Sequence, residues 1–329
     1  MIEQLKTHFE SNLTLTKYKK ILIPSAKIFI TIGLLYYLVS NIRISDVINA
    51  INEANVYLIL LTLALSFINL YLQFYKWKIT TSTILGEDNN RKIFYSLFQG
   101  FSAAVFTPAR IGEYFGRALA FKDKSLLQVT LATLIDKLFP LLIVAFFGSI
   151  ASILFIHFYY NVSYYLTLSL FIVLFVLFYL IIHLIFNKNF WNNFLFTRIQ
   201  RTKQFSKYFD KISKLKNLDH KYSAKMLFIS LLFYLCYLLQ YVILVSAFSH
   251  NYALIDYFWA GNLLMFSKTI IPPVSFGELG IREGASVFFI QQFGENAIVG
   301  FNASIFLFFI NVLLPALAGL ILIFRINND

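Results

Sequence analysis

Three arginines and three glutamates stand in stretches that are otherwise apolar. Residues 107–117 read TPARIGEYFGR and residues 272–282 read PPVSFGELGIR, followed by Glu283. Glu113 and Arg117 are four apart and share one helix face, as do Glu278 and Arg282. Both pairs follow a proline/glycine break, at Pro108 and Gly112 and at Pro273 and Gly277. They therefore fall in the first turns of a new helix, where free N–H groups and the positive dipole end suit an anion. Arg110, Arg117 and Arg282 have the forked geometry that holds phosphate. The glutamates either orient those arginines or only fasten each short helix in place.

Nine ionisable residues fall inside apolar stretches: Arg110, Glu113, Arg117, Asp136, Lys137, Lys268, Glu278, Arg282 and Glu283. Facing lipid, each costs about 2.5–3.5 kcal/mol or more at a helix centre, so they must face protein or a water-filled cavity. Five bases against four acids suit one bound anion with most charges internally paired. Asp136 and Lys137 are adjacent and point to different sides, so that one of them can reach the re-entrant tip, where Arg110 and Arg117 are candidate partners. Lys268, four residues before the second break, is a candidate cavity cation. Glu283 has no counterpart, because Ala118 stands at the matching place in the first half.

The elements that must position these groups are membrane helices. The chain has 329 residues, of which 59% are apolar and 13% charged, with 38 Phe and 20 Tyr. A soluble domain carries about 25% charged residues. This composition excludes a soluble enzyme, a disordered chain and a nucleic-acid binder despite the net charge of +12. Six runs reach the roughly 20 residues needed to cross a bilayer, at about 24–42, 55–75, 126–153, 163–186, 225–248 and 297–324. The first reads as a retained anchor rather than a cleaved signal peptide. Two more stretches, 93–121 and 257–292, are broken by proline and glycine in the middle. They read as re-entrant pairs of half-helices, the alternative being kinked full spans.

Charge sets the orientation. The basic segments are 1–27, 76–92, 122–124 and above all 187–225, where ten bases face two acids. Six spans and two re-entrant pairs put all of them on one side, which is cytoplasmic by the positive-inside rule, with both termini inside. The 187–225 loop also suits contact with anionic headgroups.

The two broken elements lie 165 residues apart, half the chain, with Pro108/Pro273, Gly112/Gly277, Glu113/Glu278 and Arg117/Arg282 identical at that shift. Average residue usage would match fewer than about one of eleven positions by chance. The reading is two repeats, about 24–156 and 163–326, in a single transmembrane domain spanning 1–329. An odd number of crossings per repeat turns one upside down, a transporter architecture whose interrupted helices mark the substrate site.

No cofactor or metal site is expected. The five histidines fall at ends or loops without ligand spacing, and Cys236 is the lone cysteine. Ser275 is the only nucleophile near a break, with no histidine beside it to activate it.

The elements TPARIGEYFGRALAF and PPVSFGELGIREGASVFF resemble the lysylphosphatidylglycerol synthase transmembrane-region family of flippase-like proteins. The family's motif residues fall here on Pro108, Arg110, Gly112, Glu113 and Arg117, then Pro273, Gly277, Leu279, Gly280, Arg282 and Glu283. Glu278 stands where a second glycine is common. The resemblance covers essentially the whole chain and implies an inner-membrane protein. It further implies, in some members, movement of a modified phospholipid between leaflets and, in others, a tie to polyprenyl-phosphate sugar metabolism. The full synthases add a soluble aminoacyl-transferase domain, which is expected to be absent beyond Asp329.

The function expected is therefore binding and translocation of a lipid with an anionic phosphate headgroup, whether phospholipid or polyprenyl phosphate. Arg110, Arg117, Lys268 and Arg282 are the expected ligand contacts. Pro108, Gly112, Glu113, Asp136, Pro273, Ser275, Gly277, Glu278 and Glu283 support them. The alternatives are a membrane-embedded lipid-phosphate enzyme or a non-catalytic partner of a separately encoded lipid- or sugar-modifying enzyme. Membrane lipids are the expected partners, a homo-oligomer is open, and nucleic acid is not expected.

Overall fold

Short polar residues start the helices at the ends of the apolar runs. Asn55 accepts hydrogen bonds from the N–H groups of Tyr57 and Leu58. Ser125 and Gln128 form a reciprocal capping box. Asp219 accepts from the Tyr222 N–H, and Asn296 accepts from the Ile298 N–H. Each cap satisfies N–H groups that a helix start leaves open. The computed structural model describes residue 49 and residues 51–105, 107, 110–186, 219–271 and 280–326. The expected run 24–42, most of the basic loop, and Pro108, Pro273, Ser275, Gly277 and Glu278 lie outside the described residues.

Among the described residues the helices in chain order are α1 (Val56–Thr80), α2 (Asn90–Val105), α3 (Gly112–Ala118), α4 (Leu126–Tyr160) and α5 (Tyr164–Phe186). They continue with α6 (His220–Ser249), α7 (Leu254–Ile270), α8 (Ile281–Gln292), α9 (Ala297–Phe308) and α10 (Leu314–Ile326). A π segment, Thr81–Leu85, prolongs α1, and a second, Phe309–Leu313, joins α9 to α10. Among the described residues there is no strand. Among the described residues, five helical stretches are long and apolar enough to cross a membrane: Val56–Leu85, Leu126–Tyr160, Tyr164–Ile185, His220–Ser249 and Ala297–Leu322. They coincide with five of the six expected runs.

Burial is distributed for an apolar solvent. α5 turns Tyr165, Val173 and Tyr179 fully outward, while Thr62, Asn69, Lys76, Asp136 and Arg282 are buried inside. A water-soluble fold of this size would expose no such apolar belt.

The two broken stretches are helical hairpins. α3 doubles back along α2: a Cβ on Gly112 would meet the Ala103 carbonyl, one on Gly116 would meet the Gln99 carbonyl, and the Ser96 hydroxyl donates to the Arg117 carbonyl. α8 doubles back along α7, with Phe293, just past its end, against Trp259, and the Tyr257 hydroxyl donating to Glu295.

Shifting α1 by 165 gives 221–245, against α6 at 220–249; shifting α2 gives 255–270, against α7 at 254–270. α4 shifts to 291–325, against α9–α10 at 297–326. Packing follows the same exchange. α1 lies on α6, α2 lies on α10, and α7 lies on α4. The crossings use glycine: a Cβ on Gly319 would strike the Phe98 carbonyl, and one on Gly148 would strike Phe266.

Gly284, inside α8, is different, because nothing lies within 4 Å of the place its Cβ would take. Gly284→Ala is expected to stabilise the protein by about 0.5–1 kcal/mol, since alanine removes the chain-entropy cost of glycine without a clash. A raised thermal midpoint in detergent is the check.

Candidate functional site

Three helices carry one ion network. The break before α3 leaves Arg110 with a positive φ of 56°, a conformation that non-glycine residues rarely hold and that clusters at functional sites. α3 then places Glu113 and Arg117 one turn apart, joined at 2.7 Å. The other arm of the Arg117 fork donates to Asp136 on α4 at 2.9 Å. Lys137 reaches the second Glu113 oxygen at 2.5 Å, and Arg110 lies 3.5 Å from the same oxygen. Asp136 and Lys137 thus point to different partners, as adjacent residues on a helix must. The Arg117 guanidinium lies 4.3 Å from the centre of the Trp77 ring, a cation–π contact that strengthens away from water.

Lys76 completes the network and corrects the sequence reading, which counted it in the basic 76–92 connection. It belongs to α1, is buried, and lies 2.9 Å from Asp136 Oδ1. The basic segment keeps Lys78, in the last turn of α1, with Arg91 and Lys92, against Glu87 and Asp88. Lys76 Nζ also donates to the Asp136 backbone carbonyl at 2.7 Å. The reason lies one turn on. Pro140 sits inside α4 and has no N–H to give the carbonyl four residues back, so the lysine ammonium takes that acceptor. Two signals pointed here unread: Pro140 four residues after Asp136, and the polar stripe Asn69, Gln73, Lys76 at helical spacing in an apolar span.

A cavity of about 400 Å³ opens against this network. Its described lining carries five basic side chains, Lys76, Arg110, Arg117, Lys137 and Lys268, and two carboxylates, Glu113 and Asp136. Asn69, Gln73, Tyr237, Thr269 and Asn311 add neutral polar groups, and Leu141, Val144, Phe233, Met265 and Val312 add an apolar wall. Arg110 and Lys137 keep 25% and 32% of their side chains exposed, whereas Arg117 keeps 4%. The first two are thus the cations a ligand reaches directly. Lys268, from the other half of the chain, lies 4.7 Å from the centre of the Tyr237 ring.

Arg282 is placed differently from the expectation that it joins the other arginines. It does not line this cavity. Its side chain is fully enclosed, in contact with Glu283, donating to the Ser304 hydroxyl at 3.2 Å and lying over the Phe308 ring at 4.7 Å. Glu283 accepts from the Gly280 N–H at 2.6 Å, so one carboxylate both caps α8 and holds the arginine. The residues matching the cationic network at the 165 shift explain the asymmetry: Tyr241 stands for Lys76, Phe301 for Asp136 and Asn302 for Lys137. The Tyr241 hydroxyl bonds Ser286 at 2.7 Å where the first half has an ion pair.

Apolar helices of spanning length, an outward apolar belt and a charged interior cavity define a multi-pass helical membrane protein. The chain belongs to the family described as lysylphosphatidylglycerol synthase TM region, whose model matches residues 25–319, and this ties it to lipid handling. No curated protein matches it.

Proposed function

We propose that the protein binds a lipid by an anionic phosphate headgroup in the cavity between the two hairpins and moves it between leaflets while the tails stay in the bilayer. The observation that carries this reading is the set of basic side chains on the described lining of the cavity, of which Arg110 and Lys137 stay partly exposed. A phosphate placed among these cations is held by charge-assisted hydrogen bonds. Arg110 and Lys137 contact the phosphate in this reading. Glu113 holds both of them in place, and Lys76, Arg117 and Asp136 form the fixed floor. The hairpins dip into the bilayer from opposite faces as an inverted repeat in the inner membrane, with the basic loop and both termini cytoplasmic. That reading agrees with the element recurrence at 165 residues and with the charge asymmetry of the connections.

The test is reconstitution of the purified protein in liposomes containing headgroup-labelled phospholipid or polyprenyl phosphate, following leaflet exposure and phosphate release together. Arg110→Ala and Lys137→Ala are each expected to slow lipid movement about ten-fold or more, the worth of a charged hydrogen bond. Release of phosphate by the wild type would replace transport with hydrolysis. Neither lipid movement nor phosphate release would leave a binding partner of another enzyme.

A further inference from the structure

The apolar interior divides at the level of the cavity. One core gathers Leu97 and Phe101 of α2 with α4 as far as Phe139; another gathers Leu264 of α7 and Ile290 of α8 with Val144 of α4. α4 therefore changes cores at Pro140. The α9–α10 rod changes cores at its π segment, with Ala303 and Leu307 packed in the second core and Ala318 and Leu322 against the first. Each hairpin is fastened on its own side of these breaks. The α2–α3 hairpin holds α4 through Arg117 and Asp136, and holds α10 through the Ser102 hydroxyl, which donates to the Ala316 carbonyl at 2.7 Å. The α7–α8 hairpin holds α4 beyond Pro140, the Trp259 indole N–H donating to the Ala151 carbonyl at 2.9 Å. It holds α9 through the Ser286 hydroxyl, which donates to the Gly300 carbonyl at 2.6 Å. Both breaks are backbone defects: Pro140 has no N–H for the Asp136 carbonyl, nor Pro315 for that of Asn311, and both acceptor residues line the cavity. Prolines and π turns are where helices bend.

We propose that Pro140 and the π segment Phe309–Leu313 are paired hinges, about which the α7–α8 hairpin, with α9 and the adjoining half of α4, swings against the α2–α3 hairpin and so opens and closes the cavity. This deepens the transport reading above and rests on it. Between the two cores lies a cavity of about 400 Å³, and close packing is what makes an interior resist deformation. A bend at this level therefore breaks few apolar contacts. It also moves Lys268 and Thr269, on the α7 wall, against the ion network on the α3 and α4 wall. α1 and α6 supply the fixed spine, continuous over Val56–Thr80 and His220–Ser249. Gln240 Nε2 donates to the Thr62 carbonyl at 3.3 Å toward one end of their contact, and the Thr80 and Tyr222 hydroxyls bond at 3.2 Å toward the other. Lys76 pins that spine to the α4 hinge, because its ammonium takes the carbonyl that Pro140 leaves open. The pattern is paired: α4 and α9–α10, which match at the 165 shift, carry one break each, while α1 and α6, which also match, run through. Closure about a few such residues is how rigid units move around a bound ligand.

Paired spin labels test the hinges apart from any lipid movement. In a Cys236→Ala background, Leu119→Cys, just past α3, and Ile255→Cys, in α7, place labels at two exposed positions, one on each hairpin. Their separation is measured in phosphatidylcholine nanodiscs with and without phosphatidylglycerol. Two populations about 5 Å or more apart are expected. A second pair on the spine, at the exposed Tyr57 of α1 and Phe228 of α6, is expected to give one population. Pro140→Ala, which gives the Asp136 carbonyl an intrahelical donor, and Pro315→Ala are each expected to change the ratio of the two populations about five-fold, the worth of one hydrogen bond. Hydrogen exchange of the wild type needs no variant: amides of residues 137–144 and 309–316 are expected to exchange about ten-fold faster than those of residues 145–152 and 300–307. One population at the hairpin pair in both lipids, a ratio unmoved by both proline variants, or even exchange along α4 and α9–α10 would overturn the hinges. Two populations with no lipid movement in liposomes would leave the hinges standing and remove translocation. Lipid movement with one population would do the reverse.

Discussion

Replacing Asp136 with asparagine is expected to destabilise the protein by about 3–5 kcal/mol, the cost of removing one partner from a buried ion pair. The asparagine fills nearly the same volume, so the loss is electrostatic. Asp136 is shared: one oxygen faces Lys76 at 2.9 Å and the other faces Arg117 at 2.9 Å, with all three side chains buried. Neutralising it takes from Lys76 the carboxylate it faces and leaves Arg117 held by Glu113 alone. Lys76→Met is milder, about 1–3 kcal/mol, because Asp136 keeps Arg117 while its Oδ1 and the carbonyl released by Pro140 lose the ammonium. The pair then predicts a change of sign. In the wild-type background Lys76→Met destabilises; in the Asp136→Asn background the same change stabilises, because it removes a buried ammonium that no longer has its carboxylate. Apparent unfolding midpoints of the four proteins in one detergent close this double-mutant cycle. If Lys76→Met is equally harmful in both backgrounds, Asp136 is not what holds Lys76 in the interior.

How much of this was legible beforehand divides along physical lines. Local rules carried far. Proline and glycine announced the hairpin before Gly112, the four-residue spacing joined Glu113 to Arg117, and adjacency sent Asp136 and Lys137 to different sides. Five spans were visible because apolar runs of that length have few other fates. Lys76 was misread because hydropathy places the end of a span only to within a turn, and a lysine there looks like a cytoplasmic flank until the helix is seen to continue to Thr80. Lys268 and Arg282 were grouped by sequence, yet one lines the cavity and the other is sealed against Ser304 and Phe308. Which face of a hairpin turns inward depends on what packs behind it, and spacing within the hairpin does not encode that. Tyr237 and Asn311 were invisible for the same reason: one tyrosine among 20 and one asparagine in an apolar run acquire meaning only when helices distant in sequence meet.

Substitution of Gly112 by alanine is expected to disrupt both fold and site, through one methyl group. An added Cβ would stand 2.2 Å from the Ala103 carbonyl oxygen and 2.7 Å from Thr107 Oγ1, which accepts the Gly112 N–H. The obstacle is backbone, so no rotamer change relieves it. α3 must move off α2 by about an ångström to restore an ordinary contact, and overpacking of this kind costs about 1–3 kcal/mol. The consequence for the site is larger than the cost to the fold. Glu113 and Arg117 ride on the displaced helix, and charge-assisted bonds of 2.5–2.9 Å to Lys137 and Asp136 do not survive a shift of that size unchanged. Gly112→Ala should therefore lower the unfolding midpoint and also weaken phosphatidylglycerol binding about ten-fold, whereas Gly284→Ala, the same chemical change in the other hairpin with open space around it, should do neither. Equal behaviour of the two alanine variants would mean that the close approach of α3 to α2 does not position Glu113 and Arg117, and that the ion network is assembled by α4 alone.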